Sequence, residues 1–244
     1  MIENKDCLEY LNNIESESVD LVLTDPPYFI GFDGGKGWDK QWKSEEDYLD
    51  WCKEWTEECA RVLKPERMMV IWGTLKTDTF LRHKLEILNK IPDLYSQNEI
   101  VWSYNWGGRQ KKNFARKHEY AWCYSKGEEF LFNADDIRIE RKVKKNLRTG
   151  KVHEKGTIPT CVWEKNNHTT SKEFCGWHPT TKNIELLERI IKAYTNPGDT
   201  VLDIFMGSGS TMIACNKTGR LGKGCELDEE YYKKSLERIT DGTI

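Results

Sequence analysis

Apolar positions along this chain switch between two periods. The run Val19-Asp20-Leu21-Val22-Leu23-Thr24 reads as a buried strand, and Asp25-Pro26-Pro27-Tyr28 stops it, because two prolines fix their own backbone angles and supply no N–H to a ladder. From Ser44 to Leu63 the residues Tyr48, Trp51, Cys52, Trp55, Cys59 and Val62 recur at helical spacing, with Ser44 set to cap ahead of Asp47. Lys64-Pro65 closes that helix, and Met68-Met69-Val70-Ile71-Trp72 predicts the next strand. A helix over Thr74–Asn89 and strands over Glu99–Tyr104 and Glu119–Tyr124 follow. Between Asn133 and Trp177 the period fades into a polar, basic stretch, which reads as an insertion. Order resumes with a helix from Lys182 to Tyr194, stopped by Asn196-Pro197-Gly198. Thr200 to Phe205 is then a strand, Met206-Gly207-Ser208-Gly209 a tight turn, Ser210 to Cys215 the opening of a helix, and Gly222 to Glu226 another strand. This alternation predicts an α/β protein, a sheet with helices packed on both faces.

Composition narrows the class. A chain of 244 residues suits one α/β core with an insertion better than two full domains. No apolar run is long enough to span a bilayer, and the charged opening Met1-Ile2-Glu3-Asn4-Lys5-Asp6 lacks a signal core, so a cytoplasmic location without a membrane partner is expected. The eight cysteines contain no C-x-x-C pair, so they read as small core residues in a reducing compartment and no metal site is expected.

Two clusters carry chemistry. Asp25-Pro26-Pro27-Tyr28 puts a carboxylate, proline carbonyls and an aromatic face at a strand tip; these suit a flat ring with an exocyclic amine, each amine hydrogen going to one acceptor and the ring stacking on Tyr28. A simple proline-capped turn is the alternative. The second cluster is strand, glycine turn and helix at Thr200–Cys215, where glycines let backbone approach a ligand and a helix N-terminus offers N–H groups. Glu226 lies about twenty residues on, where α/β nucleotide sites hold a ribose with a carboxylate. The turn lacks the phosphate-loop and dinucleotide glycine patterns, so an adenosine without a pyrophosphate fits, S-adenosylmethionine above all.

In these blocks and their order the chain resembles the β class of DNA amino-methyltransferases, the adenine-N6 and cytosine-N4 enzymes, over nearly its whole length. The resemblance implies a Rossmann-like methyltransferase sandwich, circularly permuted, with a mixed, mostly parallel seven-stranded sheet. It divides the chain into a catalytic half (1–132), a target-recognition insertion (133–177) and a cofactor-binding half (178–244). Asp25, Pro26, Pro27 and Tyr28 are then catalytic, and Asp25 with Asp203, Phe205, Gly207, Ser208, Gly209 and Glu226 borders the cofactor. Asn4-Lys5-Asp6-Cys7-Leu8 resembles the block that binds the cofactor's adenine, implying roles for Asp6 and Cys7; the alternative for Asp6 is a helix N-cap. His178-Pro179-Thr180-Thr181-Lys182 resembles the block beside the methionine end, implicating His178 and Lys182, although the family's next residue is proline where this chain has Asn183. Arg116-Lys117-His118-Glu119-Tyr120 resembles the family's RxxHE strand entry, in which His118 reads as structural.

The expected partner is double-stranded DNA. A formal net charge of -3 argues mildly against it, but the insertion is strongly basic, and Arg141, Lys144, Lys145 and Arg148 are candidates for phosphate contacts. Trp38, Trp42, Trp106, Arg109, Lys111 and Lys112 lie in polar, glycine-containing loops expected to order on DNA, with buried core aromatics as the alternative for the tryptophans. The implied reaction is methyl transfer to the N6 amine of a flipped adenine. Cytosine-N4 is the alternative base, for which the family more often uses SPPY, and a non-catalytic DNA-binding subunit is the alternative class. The resemblance also allows a homodimer.

Overall fold

The computed structural model describes residues 1–32, 34–105, 109–140, 155–164 and 175–241. Trp106, Arg141, Lys144, Lys145 and Arg148 therefore lie outside the described residues. Eight strands form one sheet: β1 (Ile2–Asn4), β2 (Val19–Thr24), β3 (Leu63–Gly73), β4 (Leu94–Ser103), β5 (His118–Lys126), β6 (Val162–Glu164), β7 (Thr200–Asp203) and β8 (Leu221–Glu226). Their order is β1-β8-β7-β2-β3-β5-β4-β6, and β5 alone runs against the others. The helices are α1 (Cys7–Leu11), α2 (Glu45–Val62), α3 (Thr79–Arg82), α4 (Ile184–Tyr194), α5 (Ser210–Thr218) and α6 (Glu229–Asp241).

Alternation along the central strands sets the two layers. Leu21, Leu23, Met68, Val70 and Trp72 join α4 and α5 in one core cluster. Val22, Met69 and Ile71 face the other way onto α1 and α2. Both faces of β2 are covered, which is why its six residues are all buried and no clean polar alternation marks it.

The eighth strand is one more than the seven expected. It is β6, which pairs in parallel with β4 through Val101, Trp102 and Ser103, so the segment 133–177 contributes an edge to the core sheet. Its three residues are too few for a period to register. The helix expected from Thr74 starts instead at Thr79 and passes through a π turn, His83–Ile87, into a 3-10 turn, Leu88–Lys90. His83 opens the π turn and is tied to α2: its Nε2 meets Thr56 Oγ1 at 2.9 Å, and Thr56 donates its own hydrogen to the Cys52 carbonyl, so His83 carries its proton on Nε2.

Burial lowers the His83 pKa to about 3, and burial lowers that of His178 to about 4. Both folded values lie below the unfolded one near 6.5, so the stability held by the neutral rings is complete above that pH and is lost as pH falls through the folded values. Asp203 works in the opposite sense: burial raises its pKa to about 6, so its contribution is lost as pH rises through 6. Thermal unfolding followed from pH 6.5 to pH 4 is expected to show a shallower acid loss in His83→Gln, whose amide can keep the Thr56 hydrogen bond, than in the parent. Equal slopes would remove His83 from the acid response.

Candidate active site

The sheet order reverses between β7 and β2, and the carboxyl ends of these strands open a crevice where α/β folds bind ligands. Thr24 Oγ1 donates to Asp203 Oδ1 at 2.8 Å, so the last residue of β2 is tied to the last of β7. The same Asp203 oxygen accepts the Phe205 amide at 3.1 Å and sets the turn that follows. One cavity of about 880 Å³ spans both strand ends, within the range of small-molecule sites.

At the β7 end the turn is held from two sides. Glu226 at the tip of β8 accepts the Gly207 amide on Oε2 at 2.8 Å and the Asp228 amide on Oε1 at 2.9 Å. Arg238 of α6 donates to the Ser208 carbonyl at 2.8 Å and to Ser210 Oγ at 3.0 Å. Gly207 has φ of 50°, and a Cβ there would lie 2.8 Å from His178 Nε2, so glycine is required by both angle and space. Asp6, Cys7, Phe205, Ser208 and Glu226 line this end of the cavity with Gly207 and Asp203. Asp6 also caps α1, its Oδ1 accepting the Leu8 amide at 2.9 Å and the Glu9 amide at 3.4 Å. Gly209 does not line the cavity. With φ of 76° and its Cβ position 3.0 Å from Ile239, it caps α5 and lets α6 pack closely.

At the β2 end lies a charged cluster. Tyr28 donates its hydroxyl to Asp25 Oδ1, and Lys182 Nζ lies 2.5 Å from Asp25 Oδ2, 3.2 Å from the Tyr28 hydroxyl and 3.1 Å from Glu119 Oε2. Lys182, expected toward the cofactor's methionine, thus directs its ammonium at Asp25 and Glu119, because a cation this buried needs carboxylate partners. Burial acts to lower its pKa, but Asp25 and Glu119 outweigh burial and raise it. Burial, then the Asp25 charge, pushes the Tyr28 hydroxyl well above the usual range, so it stays a donor. Asn183, where the family has proline, caps α4 by accepting the Leu186 amide, which starts the helix directly after Lys182.

The loop after Tyr28 depends on a residue that sequence reading passed over. Asp39, buried, accepts the amides of Phe29 at 2.7 Å, Ile30 at 2.8 Å and Phe32 at 3.1 Å. These bonds hold Phe29 at φ of 55°, a conformation costing about 1–3 kcal/mol at a non-glycine residue. Asp39→Ala is expected to lower stability by about 2–5 kcal/mol in urea unfolding, since three part-buried amides lose a charged acceptor. Asp39→Asn, which can still accept, is expected to cost less. Equal stability of Asp39→Ala and the parent would contradict this role.

Trp38 and Trp42 line the cavity, and Trp42 is also built into an aromatic cluster, 4.9 Å from Tyr48 and 4.6 Å from Trp51 between ring centroids. Arg109, Lys111 and Lys112 are exposed on the β4–β5 connection, outside the cavity. Glu119 was missed because its partner Lys182 lies sixty-odd residues away; the HE pair drew attention to His118, whose ring meets Tyr120 edge-on instead.

A family profile described as DNA methylase, for the N6 and N4 enzymes, matches residues 19–237. Type II methyltransferase M.HpaI of Haemophilus parainfluenzae is 33% identical over 233 residues, covering 95% of this chain and 71% of that protein. DNA adenine methyltransferase YhdJ of Escherichia coli (strain K12) is 36% identical over 247 residues, covering 96% and 80%. Among solved structures, PvuII DNA methyltransferase, cytosine-N4-specific, shares the fold with a TM-score of 0.76 at 20% identity, covering 99% of this chain and 90% of that one. M1.HpyAVI in complex with S-adenosylmethionine aligns with a TM-score of 0.63 at 26% identity, covering 98% of each chain. This chain belongs to the N6/N4 DNA methylase family, with the α/β methyltransferase fold. It is an S-adenosylmethionine-dependent DNA methyltransferase. Its β7 end fits that cofactor: a glycine cradle that a Cβ would fill, and a carboxylate whose two oxygens each spend only one acceptor site on backbone amides. Among the described residues no helix is long and apolar enough to cross a membrane.

Proposed function

We propose that this enzyme methylates the N6 amine of an adenine flipped out of duplex DNA within a specific sequence. The observation that carries the reading is the set of acceptors at the β2 end of the cavity. Tyr48 donates its hydroxyl to the Pro27 carbonyl at 2.7 Å, turning that oxygen toward α2. The Pro26 carbonyl is then the proline acceptor left for an incoming amine, beside the Asp25 carboxylate. With one amine hydrogen on each, the nitrogen lone pair is directed away from the ring plane. When bound, the cofactor supplies an electrophilic methyl group. Asp6, Phe205 and Glu226 would hold its adenosine part, and His178 borders the turn beneath it. Asp25, already bonded to the amine, is the group that takes up the proton the nitrogen sheds, and Lys182 with Glu119 keeps its carboxylate in position.

Energetics are consistent with a flipped base. A charge-assisted hydrogen bond contributes about 1.5–3 kcal/mol and stacking on an aromatic ring about 1–3 kcal/mol, enough to offset the few kcal/mol that unstacking costs. Arg109, Lys111 and Lys112, and in the insertion Arg141, Lys144, Lys145 and Arg148, supply cations for phosphates. Adenine is favoured over cytosine by the aspartate that opens the DPPY block, and a relative 36% identical is a DNA adenine methyltransferase. Expressing the chain in a host without DNA methylation and sequencing its genome for modified bases tests the proposal. N6-methyladenine confined to one sequence context is expected; N4-methylcytosine, or an unmodified genome, would overturn it.

A further inference from the structure

Phe114 is 94% exposed, more than any other large apolar side chain among the described residues. It sits on the connection between β4 and β5, where residues 109–117 read Arg-Gln-Lys-Lys-Asn-Phe-Ala-Arg-Lys, five cations and no acid in a chain of net charge -3. Both ends of this connection are fixed. The Tyr104 amide donates to the Lys117 carbonyl at 3.0 Å, Lys117 Nζ donates to the Asn105 carbonyl at 2.9 Å, and Arg116 donates to the Leu75 carbonyl. The flanking residues Trp102, Tyr104, Arg116 and Glu119 line the cavity, so the connection rises from the rim of the site that binds the base. Residues 109–114 beyond that rim are all exposed, and Asn113 accepts the Phe114 amide on its side chain at 2.8 Å.

A bare phenyl ring flanked in sequence by cations is costly in water, and nothing among the described residues covers it. Its surroundings match one occupant: a polyanion with flat apolar faces inside it. Phosphates would pair with Arg109, Lys111 and Lys112, and the ring would enter the base stack between them, as apolar wedges do in proteins that unstack DNA. We infer that Phe114 is the wedge that fills the gap left by the flipped base, stacking where that base had been and so holding the duplex open while the base occupies the cavity. This rests on the base-flipping reading above and adds to it the residue that stabilises the flipped state. Phe114 is a positioning residue: it acts on the equilibrium of the base and touches neither cofactor nor amine.

The test compares two duplexes carrying the mapped target sequence, one intact and one with an abasic site opposite the target base, where flipping breaks no base pair. Phe114→Ala is expected to lower kcat/KM on the intact duplex by about tenfold or more, in keeping with a few kcal/mol of unstacking. On the abasic duplex it is expected to come within about threefold of the parent, because little flipping cost is left for the wedge to offset. Phe114→Trp, which keeps a flat ring, is expected to act as the parent does on both. The same loss on both duplexes would mean that Phe114 serves only binding, and no loss on either would mean that it serves neither; each overturns the inference. Failure of the parent to methylate either duplex would overturn the base-flipping reading itself, and the two failures are distinguished by that control.

Discussion

Asp25→Ala is expected to reduce kcat for methyl transfer by about 10²–10³-fold or more while the protein stays folded and still binds S-adenosylmethionine. The size follows from removing a charged acceptor from a preorganised site, where a single such contact is worth that much. Folding should survive because Lys182 keeps Glu119 at 3.1 Å, so the buried ammonium is not left without a carboxylate. Cofactor binding should survive because the Gly207 turn and Glu226 are held by contacts that do not involve Asp25. Asp25→Asn keeps one acceptor oxygen without the charge and should fall between the two. Circular dichroism, calorimetric titration of the cofactor and steady-state transfer to DNA read the three quantities separately. Retained turnover in Asp25→Ala would remove this carboxylate from the chemistry.

Gly207→Ala should act on the other end of the cavity. Its Cβ would lie 2.8 Å from His178 Nε2, and the backbone angle there is one that only glycine adopts freely. Strain of about 1–3 kcal/mol, transferred to the turn, weakens the cofactor by about one to two decades in Kd. The double variant Gly207→Ala with His178→Ala relieves the contact but not the angle, so it should recover part of the loss. Calorimetric titration checks both. An unchanged Kd in the single variant would show that the turn yields without cost, and no recovery in the double variant would assign the whole effect to the backbone.

The parts of this protein legible in its sequence are those whose cause is local. Ser44 caps α2 and the helix spans Glu45–Val62, one residue from its expected limits at each end, because capping and period are properties of neighbouring residues. The strand at Val19–Thr24 and the glycine turn after Asp203 are legible for the same reason. What was not legible depends on partners distant in the chain. The Asp39 carboxylate looks like any loop acid until the chain folds back and brings three amides to it. Thr24 and Asp203, 179 residues apart, become a pair only once β2 lies beside β7. Lys182 was read from its neighbours in a motif, and the fold turned its charge toward Asp25 and Glu119 because burial leaves an ammonium no other stable arrangement. Gly209 shares a turn with Gly207, yet Gly209 packs against Ile239 of α6 while Gly207 meets His178 and lines the cavity, a distinction set by those distant partners rather than by the turn.

The chemistry proposed here stands or falls on one product. The purified enzyme is incubated with mixed-sequence duplex DNA and S-adenosylmethionine labelled in its methyl group, the DNA is digested to nucleosides, and the label is separated by chromatography. Label migrating with N6-methyladenosine of the deoxy series, and its loss in Asp25→Ala, is the predicted result. Label on N4-methylcytosine, or no label in DNA treated with the unsubstituted enzyme, would contradict the account.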